Sequence, residues 1–308
     1  MTNKTKGILC AVFACATWST VWIISKILID DYSFDPVYLA FLRFIIGGLF
    51  LLLLVVIKKD FSIIATLKKD YKVTIAMALT GIFGMGSVVF MSLKHTTATN
   101  SAILMNSNAI YIFLLSIFIG EKLTKNKIIG VVIGVIGCYF IINKGLAFNL
   151  FNDGVKGDLL AVLSAVLWAI YTVIGKVYVK GSNSLHLTII NFLIGSVMIL
   201  GVVFAFNLWQ GEFNLLTVSL LVFMGIIPTG LGFYAWYVAL EYLEAGVTGV
   251  FQFIVTILTA IMAFFILDEK ITIFFLIGMI LIFYGIYVVS KTENKLKKVN
   301  PVSRDDEK

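Results

Sequence analysis

Charge is what this chain has least of. Of its 308 residues, 13% are Asp, Glu, Lys or Arg and 60% are apolar. An ordinary soluble domain carries roughly 25% charged and 45–50% apolar residues. The 24 basic and 17 acidic side chains cannot coat a soluble protein of this length. That excludes a soluble globular domain, a disordered chain and a nucleic-acid binder. A net charge of +7 would hint at nucleic acid in a soluble domain; in a membrane protein it reports basic cytoplasmic loops. Histidine is scarce too, with only His95 and His186, both near the ends of apolar runs. Cys10, Cys15 and Cys138 lie inside apolar runs, without a C-x-x-C pair or metal spacing, and read as packing residues. No G-x-x-x-x-G-K-S/T segment occurs, so ATP-driven transport is not supported. No cofactor or metal is implied.

Apolar runs are what the chain has in abundance. A membrane-spanning helix needs about 20 mostly apolar residues. Ten such windows lie at roughly 7–29, 37–57, 73–93, 98–119, 128–143, 157–179, 185–208, 217–240, 245–267 and 271–290. The fifth is short, so its ends are the least defined. The first follows Lys4 and Lys6 but is too long for a signal-peptide core and lacks an A-x-A-like cleavage site, so it is read as a retained span. With the N-terminus in the cytoplasm, the inner segments carry 17 basic residues and the outer loops 4 (Lys94, Lys144, Lys156 and Lys270). Such asymmetry favours an even number of spans with both termini cytoplasmic. The expected location is the cell (plasma or inner) membrane, with a basic, charged tail over 291–308.

The chain also repeats itself. A slide of 150 residues lays Gly7–Lys26 on Gly157–Lys176, pairing Trp18 with Trp168 and Lys26 with Lys176. A slide of 148 lays Glu121-Lys122-Leu123-Thr124 on Glu269-Lys270-Ile271-Thr272 and pairs Gly130 with Gly278. Two five-helix repeats, 7–143 and 157–290, follow. Five is odd, so the second repeat enters the bilayer with opposite polarity, a recurrent plan of secondary transporters. The expected fold is an all-α integral membrane protein, with ten transmembrane helices built as two inverted five-helix repeats.

Several of these residues carry a family resemblance. They are Trp18 and Trp168 in the first span of each half, Lys26 and Lys176 two turns later, and Phe41-Leu42-Arg43-Phe44 in span two. Ser92-Leu93-Lys94 and Ala239-Leu240-Glu241 close spans three and eight. The corners Gly120-Glu121-Lys122-Leu123-Thr124 and Asp268-Glu269-Lys270-Ile271-Thr272 each have a Gly six residues into the next helix. Over about residues 7–290 the sequence resembles the EamA-type transporters of the drug/metabolite transporter superfamily. One departure concerns spans four and nine. Many members have a Pro thirteen residues before the corner Glu, whereas Asn108 and Thr256 stand there in this chain. Any kink at that level must have another source.

Candidate substrate-binding residues fall into three groups. Lys26, Arg43 and Lys176 are the basic residues inside the windows, and no Asp or Glu lies deep in one. They either meet a carboxylate or carbonyl of a substrate, or snorkel to headgroups and bond between helices. Second, Thr248, Gln252, Thr256 and Thr259 share one face of span nine, and Asn100, Ser107, Asn108 and Tyr111 lie close to one face of span four. Such uncharged stripes line a polar cavity or join helices. Third, Trp18, Trp22, Trp168 and Tyr171 are mid-span, and Tyr234, Trp236 and Tyr237 cluster in span eight beside Phe90 and Met91 of span three. Aromatic faces hold the apolar part of an amphipathic substrate, or simply pack. Gly81, Gly84 and Gly86 in span three, and Gly225, Pro228, Gly230 and Gly232 in span eight, are candidate bending points. Gly130-x-x-x-Gly134-x-x-Gly137 marks close helix packing, within the chain or in a dimer.

The leading expectation is a secondary carrier working by alternating access, not an enzyme. With no buried carboxylate, a direct proton relay through one is disfavoured. The resemblance implies export of amino acids, related metabolites or drug-like amphiphiles, with uptake, exchange or multidrug efflux as alternatives. An intramembrane enzyme or a receptor is the other class. The expected partners are a small-molecule substrate and the lipid bilayer. No nucleic acid and no obligate protein partner is expected, so the chain would act as a monomer or homodimer.

Overall fold

The computed structural model describes residues 2–60, 62–93, 95, 101, 104–105, 107–121, 124–143, 155–179, 182–266 and 273–299. Among them every regular element is helical. In chain order these are α1 (Asn3–Asp30), α2 (Pro36–Ile57), α3 (Ile63–Met77), α4 (Gly86–Leu93), α5 (Asn108–Ser116) and α6 (Lys125–Asn143). There follow α7 (Val155–Tyr178), α8 (Ser184–Ala205), α9 (Leu215–Met224), α10 (Gly232–Tyr242), α11 (Ala245–Val250), α12 (Phe253–Ile266) and α13 (Ile273–Val299). Two π-helical stretches, Ala78–Met85 and Gly225–Leu231, join α3 to α4 and α9 to α10. Among the described residues, seven helical stretches are long and apolar enough to cross a membrane, and Asn108–Ile119 and Leu276–Val289 are shorter apolar helices.

Local sequence explains most helix ends. Asp35 accepts the N–H groups of Val37 at 2.8 Å and Tyr38 at 3.3 Å, with Pro36 in the first turn of α2. Asn183 accepts the N–H of Leu185 at 2.9 Å to start α8, and Asn214 and Thr217 form a reciprocal capping box on α9. These side chains satisfy donors that a helix start leaves orphaned. Gly120 takes φ +84° after the 3-10 turn Ile117–Ile119 and turns the chain into the Glu121 corner. Two helices outrun their apolar windows. α3 starts at Ile63, ten residues before its window, and α13 continues beyond 290 into the basic tail. Lys, Leu and Ala propagate a helix as well in water as in lipid, so the apolar window marks the buried part of each helix and not its end.

The two halves of the sequence pack on each other pair by pair. α1 lies against α10 and α12, and its repeat counterpart α7 lies against α4 and α5. α2 packs on the π stretch Gly225–Leu231, and α8 packs on the π stretch Ala78–Met85. The self-paired contacts are α2 with α8 and α6 with α13. A Cβ at Gly137 would stand 2.7 Å from the carbonyl oxygen of Gly278, and one at Gly130 2.7 Å from that of Gly285. The glycines of span five are therefore used within the chain, to bring α6 onto α13.

Candidate functional site

We call the end of the bundle with Lys6, Glu121, Lys127 and Glu241 the inner end, after the side to which the basic residues assign it. The other half of the bundle holds a cavity of about 680 Å³, its mouth included. It runs from Trp18 and Trp168 at mid-bundle along Val21, Trp22 and Ser25 of α1. Arg43 of α2, the Met85–Phe90 region, Met105, Asn108, Phe233, Gln252 and Val255 complete its wall. Three aromatic rings, Trp168, Phe233 and Trp236, surround Trp18 at centroid distances of 5.3, 5.2 and 5.2 Å. Trp18, Trp168 and Phe233 form the floor, with Trp236 packed behind them.

Irregular backbone positions the polar groups. In the π stretch Gly225–Leu231, Pro228 contributes no N–H, and its carbonyl accepts the indole N–H of Trp18 at 2.9 Å. The next residue, Thr229, accepts from Nε of Arg43 at 3.3 Å. The Arg43 guanidinium also stands 4.6 Å from the Phe44 ring centroid, which favours a cation. Arg43 is only 8% exposed, and no carboxylate pairs with it among the described residues. Span nine breaks between α11 and α12. There the N–H of Gln252 bonds the Gly249 carbonyl at 3.1 Å, and that of Val255 bonds the Gln252 carbonyl at 3.0 Å. Both are i to i−3 bonds, which tighten a helix into 3-10 geometry. Span four does the same at the repeat-related place, where the N–H of Ser107 bonds the Leu104 carbonyl at 3.2 Å. At the level where many family members carry Pro, both spans thus tighten into 3-10 turns. They leave Asn108 and Gln252 on the cavity wall, each buried with one amide atom unpartnered, as is the Trp168 indole nitrogen.

The predicted residues divide by rotation about their helices. Trp18, Trp22, Arg43, Phe90, Asn108, Trp168 and Gln252 line the cavity. Tyr171, Trp236 and Tyr237 are fully buried on the inner side of Trp168 and do not line it. Thr248 back-bonds to the Glu244 carbonyl at 2.9 Å, and Thr256 accepts from the Cys138 thiol at 3.5 Å. Tyr234 belongs to a separate recess with Lys6, Cys10 and Glu241. Lys26 is exposed on α1 and absent from the cavity wall. Lys176 donates to the carbonyls of Leu240, at 2.6 Å, and Leu243, capping the end of α10. Asn100 lies outside the described residues, as does Glu269. Val21, Ser25, Met85, Val89, Met105, Phe233 and Val255 were not anticipated, because small and apolar side chains carry no mark that separates a cavity face from a lipid face.

At the inner end, beside the recess lined by Lys6, Cys10, Ser184 and Glu241, side chains tie down the corner 241–246. Glu121 accepts the N–H groups of Ala245 at 2.5 Å and Gly246 at 3.1 Å, at the start of α11. Burial pushes its carboxyl above the usual carboxylate range, against the pull of those two N–H groups. Lys127, itself buried, pairs with Glu244, and Ser184 donates to Glu241. Lys6 donates to the Tyr242 hydroxyl at 3.2 Å. Nearby, His186 meets Asp60 at 3.0 Å, and the Ser62 hydroxyl, followed by His186, holds the Asp60 carboxyl below its ordinary value.

Known proteins share this chain's sequence and shape. The EamA-like transporter family matches residues 5–143 and again 155–291. An uncharacterized transporter of Archaeoglobus fulgidus is 29% identical over 283 residues, covering 90% of this chain and 95% of that protein. The uncharacterized transporter YoaV of Bacillus subtilis is 27% identical over 284 residues, covering 91% and 95%. One from Clostridium kluyveri is 28% identical over 309 residues, covering 96% and 97%. A crystal structure 20% identical in sequence superposes with a TM-score of 0.81 over 95% of this chain and 99% of that one, which shows a shared fold. The chain is a multi-span membrane protein and belongs to the EamA-like transporter family.

Proposed function

We propose that the protein is a secondary carrier that exports small zwitterionic or amphipathic metabolites, amino acids among them, by alternating access. In this reading ten spans form two inverted five-helix repeats, 7–143 and 157–290, with both termini on the cytoplasmic side of the cell membrane. The reciprocal packing of the halves and the double family match support that arrangement. The observation that carries the substrate class is the cavity that joins Arg43 to aromatic walls and two amides, with no Asp or Glu in its described lining. The guanidinium would take a carboxylate. The spare amide atoms of Asn108 and Gln252 would meet an ammonium or hydroxyl, and the indoles an apolar side chain. A wall without a carboxylate supports exchange or facilitated movement over a buried proton relay. The position of the cavity, on the far side of the bundle from the tied corner 241–246, supports an outward-facing state, and rocking of the halves would reverse it.

The test is a panel of amino acids, organic acids and cationic amphiphiles in proteoliposomes, with counterflow and with and without a pH gradient. Carriage of carboxylate-bearing solutes without a proton gradient is expected. Carriage of cationic amphiphiles alone would refute the substrate class, and no transport at all would refute the carrier.

A further inference from the structure

The repeat registers say more than that the halves are related. The 150-residue slide pairs the cavity residues Trp18, Val21 and Trp22 with Trp168, Tyr171 and Thr172. In span two a slide of 148 pairs Phe44 with Phe192 and Gly47 with Gly195, and so sets Arg43 against Asn191. In span three a slide of 146 pairs Gly84 with Gly230, Gly86 with Gly232 and Phe90 with Trp236. It also nearly superposes the two π stretches. The repeat image of the cavity wall therefore includes Trp168, Tyr171, Thr172, Asn191 and Trp236, with Tyr237 beside them, while the images of Met85 and Val89, Leu231 and Ala235, line the inner recess. Mutual contacts bind this set together. The Tyr171 ring lies 5.3 Å from Trp168 and 5.6 Å from Tyr237, and Trp236 lies 6.0 Å from Trp168. Asn191 adjoins both tyrosine hydroxyls.

This cluster is closed, and the polar atoms of Tyr171, Asn191 and Tyr237 have only one another at hand. Tyr171, Thr172, Asn191, Trp236 and Tyr237 are fully buried. The Oη atoms of Tyr171 and Tyr237, Oγ1 of Thr172, Oδ1 of Asn191 and Nε1 of Trp236 make no hydrogen bond of ordinary geometry. The Asn191 amide nitrogen finds only the Met77 sulfur, at 4.0 Å. Native interiors seldom keep such groups without a reason. A set of five on the repeat image of a cavity has one when the image opens in another state and the groups then meet water and solute.

We propose that Tyr171, Thr172, Asn191, Trp236 and Tyr237 form a second substrate site, the inward-facing counterpart of the cavity, in which the carboxylate held outside by Arg43 is held by neutral hydrogen-bond donors. The ligand class rests on the carrier reading above; the opening of the site does not. The exchange of Arg43 for Asn191 makes the two sites unlike. One offers a fixed charge, and the other offers an amide and two phenols, so one carboxylate-bearing solute is gripped differently on the two faces.

Two measurements test this with the full chain in proteoliposomes. In a background with Cys10, Cys15 and Cys138 replaced by Ala, an impermeant thiol reagent is applied from each side to Ser25→Cys and Thr172→Cys. Ser25→Cys is expected to react from the outer side, and Thr172→Cys at least tenfold faster from the inner side than from the outer. A Thr172→Cys that stays unreactive from the inner side, or reacts equally from both, overturns the proposal. In the second measurement, Asn191→Leu and the near-isosteric Tyr237→Phe are assayed with labelled L-phenylalanine. The half-saturating concentration is expected to rise about tenfold on the inner face and less than twofold on the outer, whereas Arg43→Gln does the reverse. Equal changes on both faces, or none, overturn it. Wild-type liposomes that carry no solute would refute the carrier reading, while the labelling pattern still decides whether the second site opens.

Discussion

Replacing Glu121 should loosen the inner end by a calculable amount. Its carboxylate caps α11 by accepting the N–H groups of Ala245 and Gly246. Removing a side-chain cap costs about 0.5–2 kcal/mol. Glu121→Ala strands two donors at once, so the upper half of that range applies, about 1–2 kcal/mol. At about 1.4 kcal/mol per tenfold, the population open at the inner end rises about 5- to 30-fold. Ala245 is fully buried, so a Cys placed there reacts with an impermeant reagent only when the corner opens. When reclosing is fast, the labelling rate follows the open population. Asn126→Cys, on an exposed position of the same face, supplies the reference for thiolate content at each pH. The pH dependence has a definite sign. Burial holds the docked carboxyl above its ordinary value, so the closed state binds that proton more tightly than the open one. Closure is then firmest below the ordinary carboxylate range, near pH 4.3. It weakens as pH rises through the raised value. The normalised rate at Ala245→Cys should climb over that window with Glu121 present and stay flat with Glu121→Gln. An unchanged rate in Glu121→Ala, or a wild-type rate that falls as pH rises, would refute the reasoning.

Four further outcomes are expected. Arg43→Gln should raise the half-saturating concentration of carboxylate solutes about tenfold to a hundredfold, from the loss of a charged bond worth about 1.5–3 kcal/mol; a matching carboxamide should show no change. Trp168→Ala removes a ring packed among Trp18, Tyr171 and Phe233 and should cost about 3–5 kcal/mol in detergent unfolding. Trp168→Phe should keep much of that stability and still lose transport. Gly137→Ala must push aside the Gly278 carbonyl and should cost about 1–3 kcal/mol. Cysteines at Ser33 should label from outside and at Thr66 and Thr292 from inside, and the reverse pattern would sink the orientation.

The helices were legible because a spanning helix needs an unbroken apolar run. Their ends were less so, since the solvated Ile63–Lys72 turns and the tail of α13 are helical without being apolar. Arg43, Asn108 and Gln252 could be read as cavity residues because polar groups in lipid need a reason to be there. Met85, Val89, Met105 and Val255 could not, since only rotation about the helix decides whether such residues meet lipid or the cavity. Lys26 and Lys176 show the limit of reading by repeat. They occupy one register, yet one is exposed and the other caps α10. The role of Glu121 was also hidden, because its partners are backbone N–H groups more than 120 residues away.

The glycine seam between α6 and α13 has a mechanical consequence. With a Cβ at either Gly130 or Gly137 already meeting a facing carbonyl at 2.7 Å, the two helices have no slack in which to slide. They join the ends of both halves into a brace, so the proposed rocking would have to be taken up elsewhere. The two π stretches can supply it, since each carries an extra residue per turn beside the packed faces of α2 and α8. Under the proposed rocking, the molecule would divide its work between a stiff spine at one side and two compliant joints beside the cavity, and at those joints a solute's grip on Trp18 and Arg43 would be converted into movement.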